Sequence, residues 1–221
     1  MKMSDLLLAN HNLVPLLPRF DIVLGFGEKT IQEVCEQKKV SPSFFLMVCN
    51  IYTFDDYIPS GDEIAEMPFQ IMKSFMTASH HYYLYGRLPH IERHLQKIAE
   101  ACNPKLRAIL LQFFTDYKAE VANHFSYEEE VVIPYIEGLL QGVNRSEYKI
   151  HEYEANHSNI EDKLDDLTNI IIKYLPAEVL PNEKASVLFD IFQLSFDLNK
   201  HKLIEDNLLI PYVETIEKQR G

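Results

Sequence analysis

Residues 124–137 of the chain read HFSYEEEVVIPYIE, and 77 residues later (201 − 124) residues 201–214 read HKLIEDNLLIPYVE. Six of the fourteen positions are identical. Each copy opens His-x-x-x-Glu and carries a proline six residues after the glutamate. On an α-helix, residues four apart lie on one face, about 40° apart around the axis and about 6 Å along it. Proline inside a helical pattern removes a hydrogen bond and bends the rod. The repeat therefore demands two helices bent alike, each presenting an imidazole and a carboxylate together. Two such helices converge naturally at one level of a helical bundle.

Periodicity supplies the rest of that bundle. A first helix is expected from about Glu63 or Phe69 to Ala101, with Leu84, Leu88, Ile91, Leu95 and Ile98 forming one apolar stripe. Asn103-Pro104 is a cap and first-turn signal for a second helix ending near Gln141, before Gly142 and Asn144. A third is expected over about Ser146–Tyr174 and a fourth over about Glu183–Gln219, separated by LPAEVLPNE. Pro89 falls inside the first helix as Pro134 and Pro211 do inside the second and fourth. No stretch sustains the two-residue alternation of a half-buried strand. The fold expected is all-α: an up-down-up-down four-helix bundle over residues 69–221. It is preceded by a linker at 59–68 and a small helical N-terminal domain at 1–58. In that domain LGFGEKT and KKVSPS read as turns, Thr30 caps a helix from Ile31, and Ser41-Pro42 opens another.

Charge narrows the partners. With 21 basic and 33 acidic residues the net charge is −12, which argues against nucleic acid or an anionic membrane. MKMSDLLLAN has too short an apolar run for a signal peptide, and no segment has the length to span a bilayer. Cys35, Cys49 and Cys102 form no C-x-x-C and are expected to be reduced, packed thiols of a cytoplasmic protein.

The repeated phrase carries the chemistry. His124 with Glu128, and His201 with Glu205, stand among apolar neighbours: Phe113, Tyr117, Val121 and Val131 on one rod, Leu194, Leu198 and Leu208 on the other. Two carboxylates buried without compensation would cost several kcal/mol, and a shared cation removes that penalty. A lone His-x-x-x-Glu is an ordinary surface pair; its duplication with a proline at the same offset favours ligands. The third helix offers His157, in line with Tyr153, Ile160 and Leu164, with Glu161 in reserve and His151 turned to solvent. On the first helix, His80 and His81 lie comparably close to the stripe and periodicity does not choose between them. His90 and His94 form a further i, i+4 pair, assigned to a solvated face. One histidine per helix plus two bridging glutamates suits two iron ions, with manganese or zinc able to use the same donors. The Glu-x-x-His pattern of ferritin-type bundles is met only by Glu154/His157, so that architecture is disfavoured.

These motifs resemble the hemerythrin-like di-iron proteins, and more narrowly the repair-of-iron-centres family, also described as regulators of cell morphogenesis and nitric oxide signalling. The resemblance spans almost the whole chain. It places a first-helix ligand seven residues before Leu88-Pro89, at His81, and further ligands at His124, Glu128, His157, His201 and Glu205. It implies a cytoplasmic non-haem di-iron protein, monomer or homodimer, that repairs or supplies iron to iron–sulfur clusters damaged by nitrosative or oxidative stress. Its partners would be damaged iron–sulfur proteins or a small gas, NO or O2. Two other readings compete: an O2- or NO-binding sensor, and a metal-free helical interaction module. The family's leading domain has a Cys-Cys-Gly-Gly turn where this chain has Leu24-Gly25-Phe26-Gly27, so no thiol role carries over. Oxygen carriers hold a fifth histidine where Tyr153 stands, which makes a carrier role less favoured.

Overall fold

The computed structural model describes residues 1–143, 148–156, 160 and 162–220. The fold is all-α, a helical bundle. Among the described residues the only β pairing is an isolated antiparallel bridge between Lys2 and Thr30.

The leading segment contains α1 (Met3–Ala9), a 3₁₀ helix (His11–Phe20), α2 (Ile31–Gln37), α3 (Pro42–Thr53) and α4 (Gly61–Ala65). Its helix starts follow from their caps. Thr30 and Glu33 form a reciprocal capping box, and Ser41 accepts from the Phe44 N–H with Pro42 in the first turn. Gly25 and Gly27 sit at φ 102° and 63°, which turns the chain at LGFG. The 3₁₀ helix carries Pro15 and Pro18 and has no counterpart in the sequence expectation. Within the expected linker, Ser60 and Glu63 form a second capping box that starts α4.

The remaining rods are α5 (Phe69–His81) running on through a π-turn into α6 (Leu88–Glu100), and α7 (Pro104–Tyr127) into α8 (Ile133–Leu140). They are followed by α9 (Ile150–Asn156), α10 (Asp162–Asn169), α11 (Pro181–Ile204) and α12 (Ile210–Arg220). The Asn103 side chain caps α7 as its position predicts, accepting from the Leu106 N–H at 3.0 Å.

Each proline-bearing rod solves its proline in the same way. π-Turns occupy Tyr82–Arg87, Glu128–Val132, Ile170–Tyr174 and Glu205–Leu209. Each ends two residues before a proline: Pro89, Pro134, Pro176 and Pro211. In three of them the residue just before the proline donates its N–H five residues back: Leu88 to Tyr83, Ile133 to Glu128, Ile210 to Glu205. A proline ring clashes with the carbonyl four residues earlier, and the wider turn relieves that clash. The bends expected at these prolines are therefore π-turns, which insert one residue into the helical phase.

The chain forms two compact units. The first comprises Met1–His80, Tyr135–Glu154 and Lys202–Gly221. Phe20 is central to it, stacking on Phe75 at 4.8 Å and meeting Phe45 edge-on at 5.2 Å. Burying such a ring contributes about 1.5–3 kcal/mol. Phe69 lies parallel to Tyr212 at 6.0 Å, and Lys73 pairs with Glu137 at 2.6 Å. The Ile150 N–H donates to Glu217 at 3.0 Å, and the Tyr135 hydroxyl donates to the same carboxylate. The second unit comprises His81–Pro134 and Ala155–His201. Its core is drawn from every rod it contains: Leu88, Ile91 and Leu95; Phe114, Tyr117 and Val121; Leu164 and Ile171; Ile191, Leu194 and Leu198. Among the described residues no helix is long and apolar enough to cross a membrane.

Candidate metal centre

Helix α5 turns Met72, Phe75, Met76, Ser79 and His80 inward, at intervals of three and four broken only by adjacent pairs. Beyond it Tyr83 is fully buried. Extending the downstream stripe of Leu88, Ile91, Leu95 and Ile98 backwards at α-helical spacing would reach Leu84 and leave His80 and His81 undecided. The π-turn inserts one residue, so the inward positions are Tyr83 and His80 instead. His81 is exposed, with its ring against Tyr85 at 4.8 Å, whereas His80 is 1 % exposed. The same one-residue shift operates on the second rod, where Val132 is buried and Val131, expected inside, is exposed. On α7 itself Phe114 is buried in the core with Tyr117 and Val121, and Phe113 packs against it partly buried.

Glu128 and Glu205 are each the first residue of their π-turn. Both are charged side chains at 2 % and 1 % exposure, and His201 is equally enclosed. In the second unit Glu128 and His201 offer ligand atoms within 4.8 Å of each other, and in the first unit His80 and Glu205 do the same. His124, half-buried, stands beside this group, its Nε2 at 2.8 Å from Glu128 Oε1.

Aromatic rings wall the imidazole of His201. Tyr83 meets it edge-on at 5.6 Å and Phe125 at 5.9 Å, while Tyr83 and Phe125 stack on each other at 5.7 Å. The Tyr83 hydroxyl donates to the Asp197 main-chain carbonyl at 3.2 Å, which fixes the ring. The wall keeps water from the imidazole and lowers the local dielectric, so each charge in the group acts strongly on the others.

A carboxylate enclosed this closely suffers an unfavourable interaction with its surroundings in its ionised form. A multivalent cation reverses the sign of that interaction, and imidazole nitrogen with carboxylate oxygen is a donor set for first-row transition metals. The residues fit a metal on burial, on separation and on chemistry.

Of the residues singled out from sequence, Glu128, His201 and Glu205 enter the group, His124 touches it through Glu128, and His81 does not enter it. His157 and Glu161 lie outside the described residues. Tyr153, Ile160 and Leu164, which mark the stripe of His157, are buried, and His151 is exposed. Cys35 and Cys49 are buried thiols, and desolvation pushes Cys35 up to about 11 and Cys49 higher still, so both pack as inert side chains. His90 and His94 are not simply solvated; they meet Asp190 of α11, a residue with no local signal in the sequence.

Comparison with known families returns one described match: the Hemerythrin HHE cation binding domain, over residues 76–213. No curated protein matches the chain, and no solved structure matches it. The matched span contains His80, Glu128, His201 and Glu205.

Proposed function

Since the chain belongs to the hemerythrin HHE cation-binding family, we propose that it is a non-haem di-iron protein that repairs or resupplies iron–sulfur clusters damaged by nitrosative or oxidative stress in the cytoplasm. The observation that carries this reading is the enclosure of two glutamates, Glu128 and Glu205, each with a buried imidazole of its own unit within 4.8 Å. In it His80 takes the first-helix position that the sequence resemblance gave to His81, and His124 and His157 complete the set. Glu128 and Glu205 are the carboxylates able to span two cations. Iron in this group would supply a one-electron couple and an open position for a small gas.

The chain's own residues do the rest. The Tyr83–Phe125–His201 stack excludes bulk water, and the Tyr83 hydroxyl bond to Asp197 holds that stack in register.

Freshly purified protein should contain about two irons per chain with near-ultraviolet charge-transfer absorption. Incubation with an apo iron–sulfur enzyme should transfer iron and restore its activity. Tight, reversible NO or O2 binding with no transfer would replace this reading with a sensor. Metal-free protein copurifying with a stoichiometric partner would replace it with an interaction module.

A further inference from the structure

Apart from the enclosed group, a second histidine–carboxylate constellation lies between α6 and α11. His90 and His94 are one helical turn apart, their rings 4.8 Å between centroids. Asp190 faces both. Its Oδ2 is 3.2 Å from His90 Nε2 and 3.8 Å from His94 Nε2. In a tetrahedral zinc site with bonds of about 2.0–2.1 Å, neighbouring donor atoms stand ~3.3 Å apart. The three ligand atoms lie within 4.8 Å of one another, so side-chain rotation is enough to bring them onto one ion. The side chains are 40 %, 19 % and 20 % exposed, so the position has both an entry path and a fixed base.

The surrounding contacts orient the donors. Arg87 Nη2 donates to Asp190 Oδ1 at 3.0 Å and to the Asp190 main-chain carbonyl at 3.3 Å, which leaves Oδ2 directed at the imidazoles. His94 Nδ1 is hydrogen-bonded to Glu183 Oε1 at 2.8 Å. A carboxylate on the far ring nitrogen sets the tautomer that leaves Nε2 as a donor to metal, the arrangement common to zinc-ligating histidines. Lys97 pairs with Glu183 at 3.1 Å and balances its charge. At His90 the contact runs the other way: Arg93 Nη2 lies 3.2 Å from Nδ1. Loading a cation on Nε2 requires this exposed arginine to turn to solvent, which involves no buried group.

We propose that His90, His94 and Asp190 form a second, peripheral cation site, of the two-histidine, one-carboxylate type. It takes a single divalent ion of the zinc class, with water in the remaining position and Glu183 as the positioning residue of His94. It is separate from the enclosed group and does not rest on the iron reading.

Equilibrium dialysis against zinc tests it, with circular dichroism to follow folding. Wild-type protein should bind one zinc more than His94→Ala, and the same difference should persist in a Glu205→Ala background. Glu183→Gln should weaken that zinc by roughly tenfold while keeping the stoichiometry. Cobalt should give visible absorption of a low-coordinate site in Glu205→Ala and lose it when His94→Ala is added. Equal zinc uptake by wild type and His94→Ala in both backgrounds overturns the proposal and leaves an ion-pair cluster. If His94→Ala misfolds, Asp190→Asn keeps the side-chain shape and must show the same loss. Failure of the iron reading would appear as wild-type protein without iron, with the zinc difference intact.

Discussion

The chain builds two histidine–carboxylate constellations that differ chiefly in their access to water. His80, Glu128, His201 and Glu205 are enclosed at 1–2 % exposure. His90, His94 and Asp190 keep about a fifth to two fifths of each side chain in solvent and have Arg87, Arg93 and Lys97 close by. An exposed carboxylate is satisfied by water or a passing cationic side chain, and its contribution to folding is small. An enclosed pair of carboxylates must find positive charge or protons. The first constellation therefore couples metal to the fold, and the second can fill or empty without consequence for it.

The largest expected effect breaks the first constellation. Metal held a thousandfold above its Kd stabilises by about 4 kcal/mol, and a chain of this size gains about 2–4 °C per kcal/mol. Chelation should thus lower the Tm of wild-type protein by about 10 °C. Glu205→Ala should contain no iron, melt near the chelated wild type, and ignore chelator altogether. Iron content equal to wild type in that variant would remove the enclosed group from consideration as a metal centre.

Next in size is the contrast between two adjacent residues. His80→Ala should lose at least about 1.4 kcal/mol of iron-binding free energy, a tenfold change in affinity, because it removes an enclosed donor. His81→Ala should leave iron content unchanged and stability within about 0.5 kcal/mol, as surface substitutions do. Iron analysis of the two variants side by side decides the register of the first rod.

That register is where the sequence was hardest to read. The caps at Thr30, Ser41 and Asn103, the rods themselves and the pairing of Glu128 with Glu205 all follow from local chemistry and a constant period. Constant period is the assumption that fails at each π-turn. It puts Leu84 and Val131 inside, where the structure buries Tyr83 and Val132, each one residue away, and it does not choose between His80 and His81, of which the structure buries His80. The prolines signal bends, and each stands two positions after the close of the π-turn in which the extra residue enters. Asp190 was missed for a different reason. A single acidic residue 100 positions from His90 (190 − 90) has no periodic signature and acquires meaning only when α6 and α11 pack.

The second constellation should respond weakly in stability and clearly in metal. Asp190→Asn removes its charge from Arg87 and both imidazoles, and since the pairs are partly solvated the loss should stay below about 1 kcal/mol. A loss of several kcal/mol by urea denaturation would show that this cluster, too, is structural.

The smallest effect belongs to a carboxylate in full contact with water. Glu33 Oε2 accepts the Thr30 N–H at 2.7 Å and the Thr30 hydroxyl at 2.8 Å, and these bonds, the backbone one foremost, hold its carboxyl below the ordinary range of 4.5. A group whose pKa falls on folding stabilises the folded state at every pH above its unfolded value. That contribution disappears as the pH drops through the folded value. Glu33→Gln keeps an acceptor for the cap but not the charge, so it should lower the urea midpoint slightly at neutral pH and converge with wild type as the pH falls below the ordinary carboxylate range. No chelator should alter that difference, because nothing at this cap depends on a cation. A Glu33→Gln effect that grew in acid would mean that some other group governs the helix start, and that the graded ranking of carboxylates by water access does not extend to the surface.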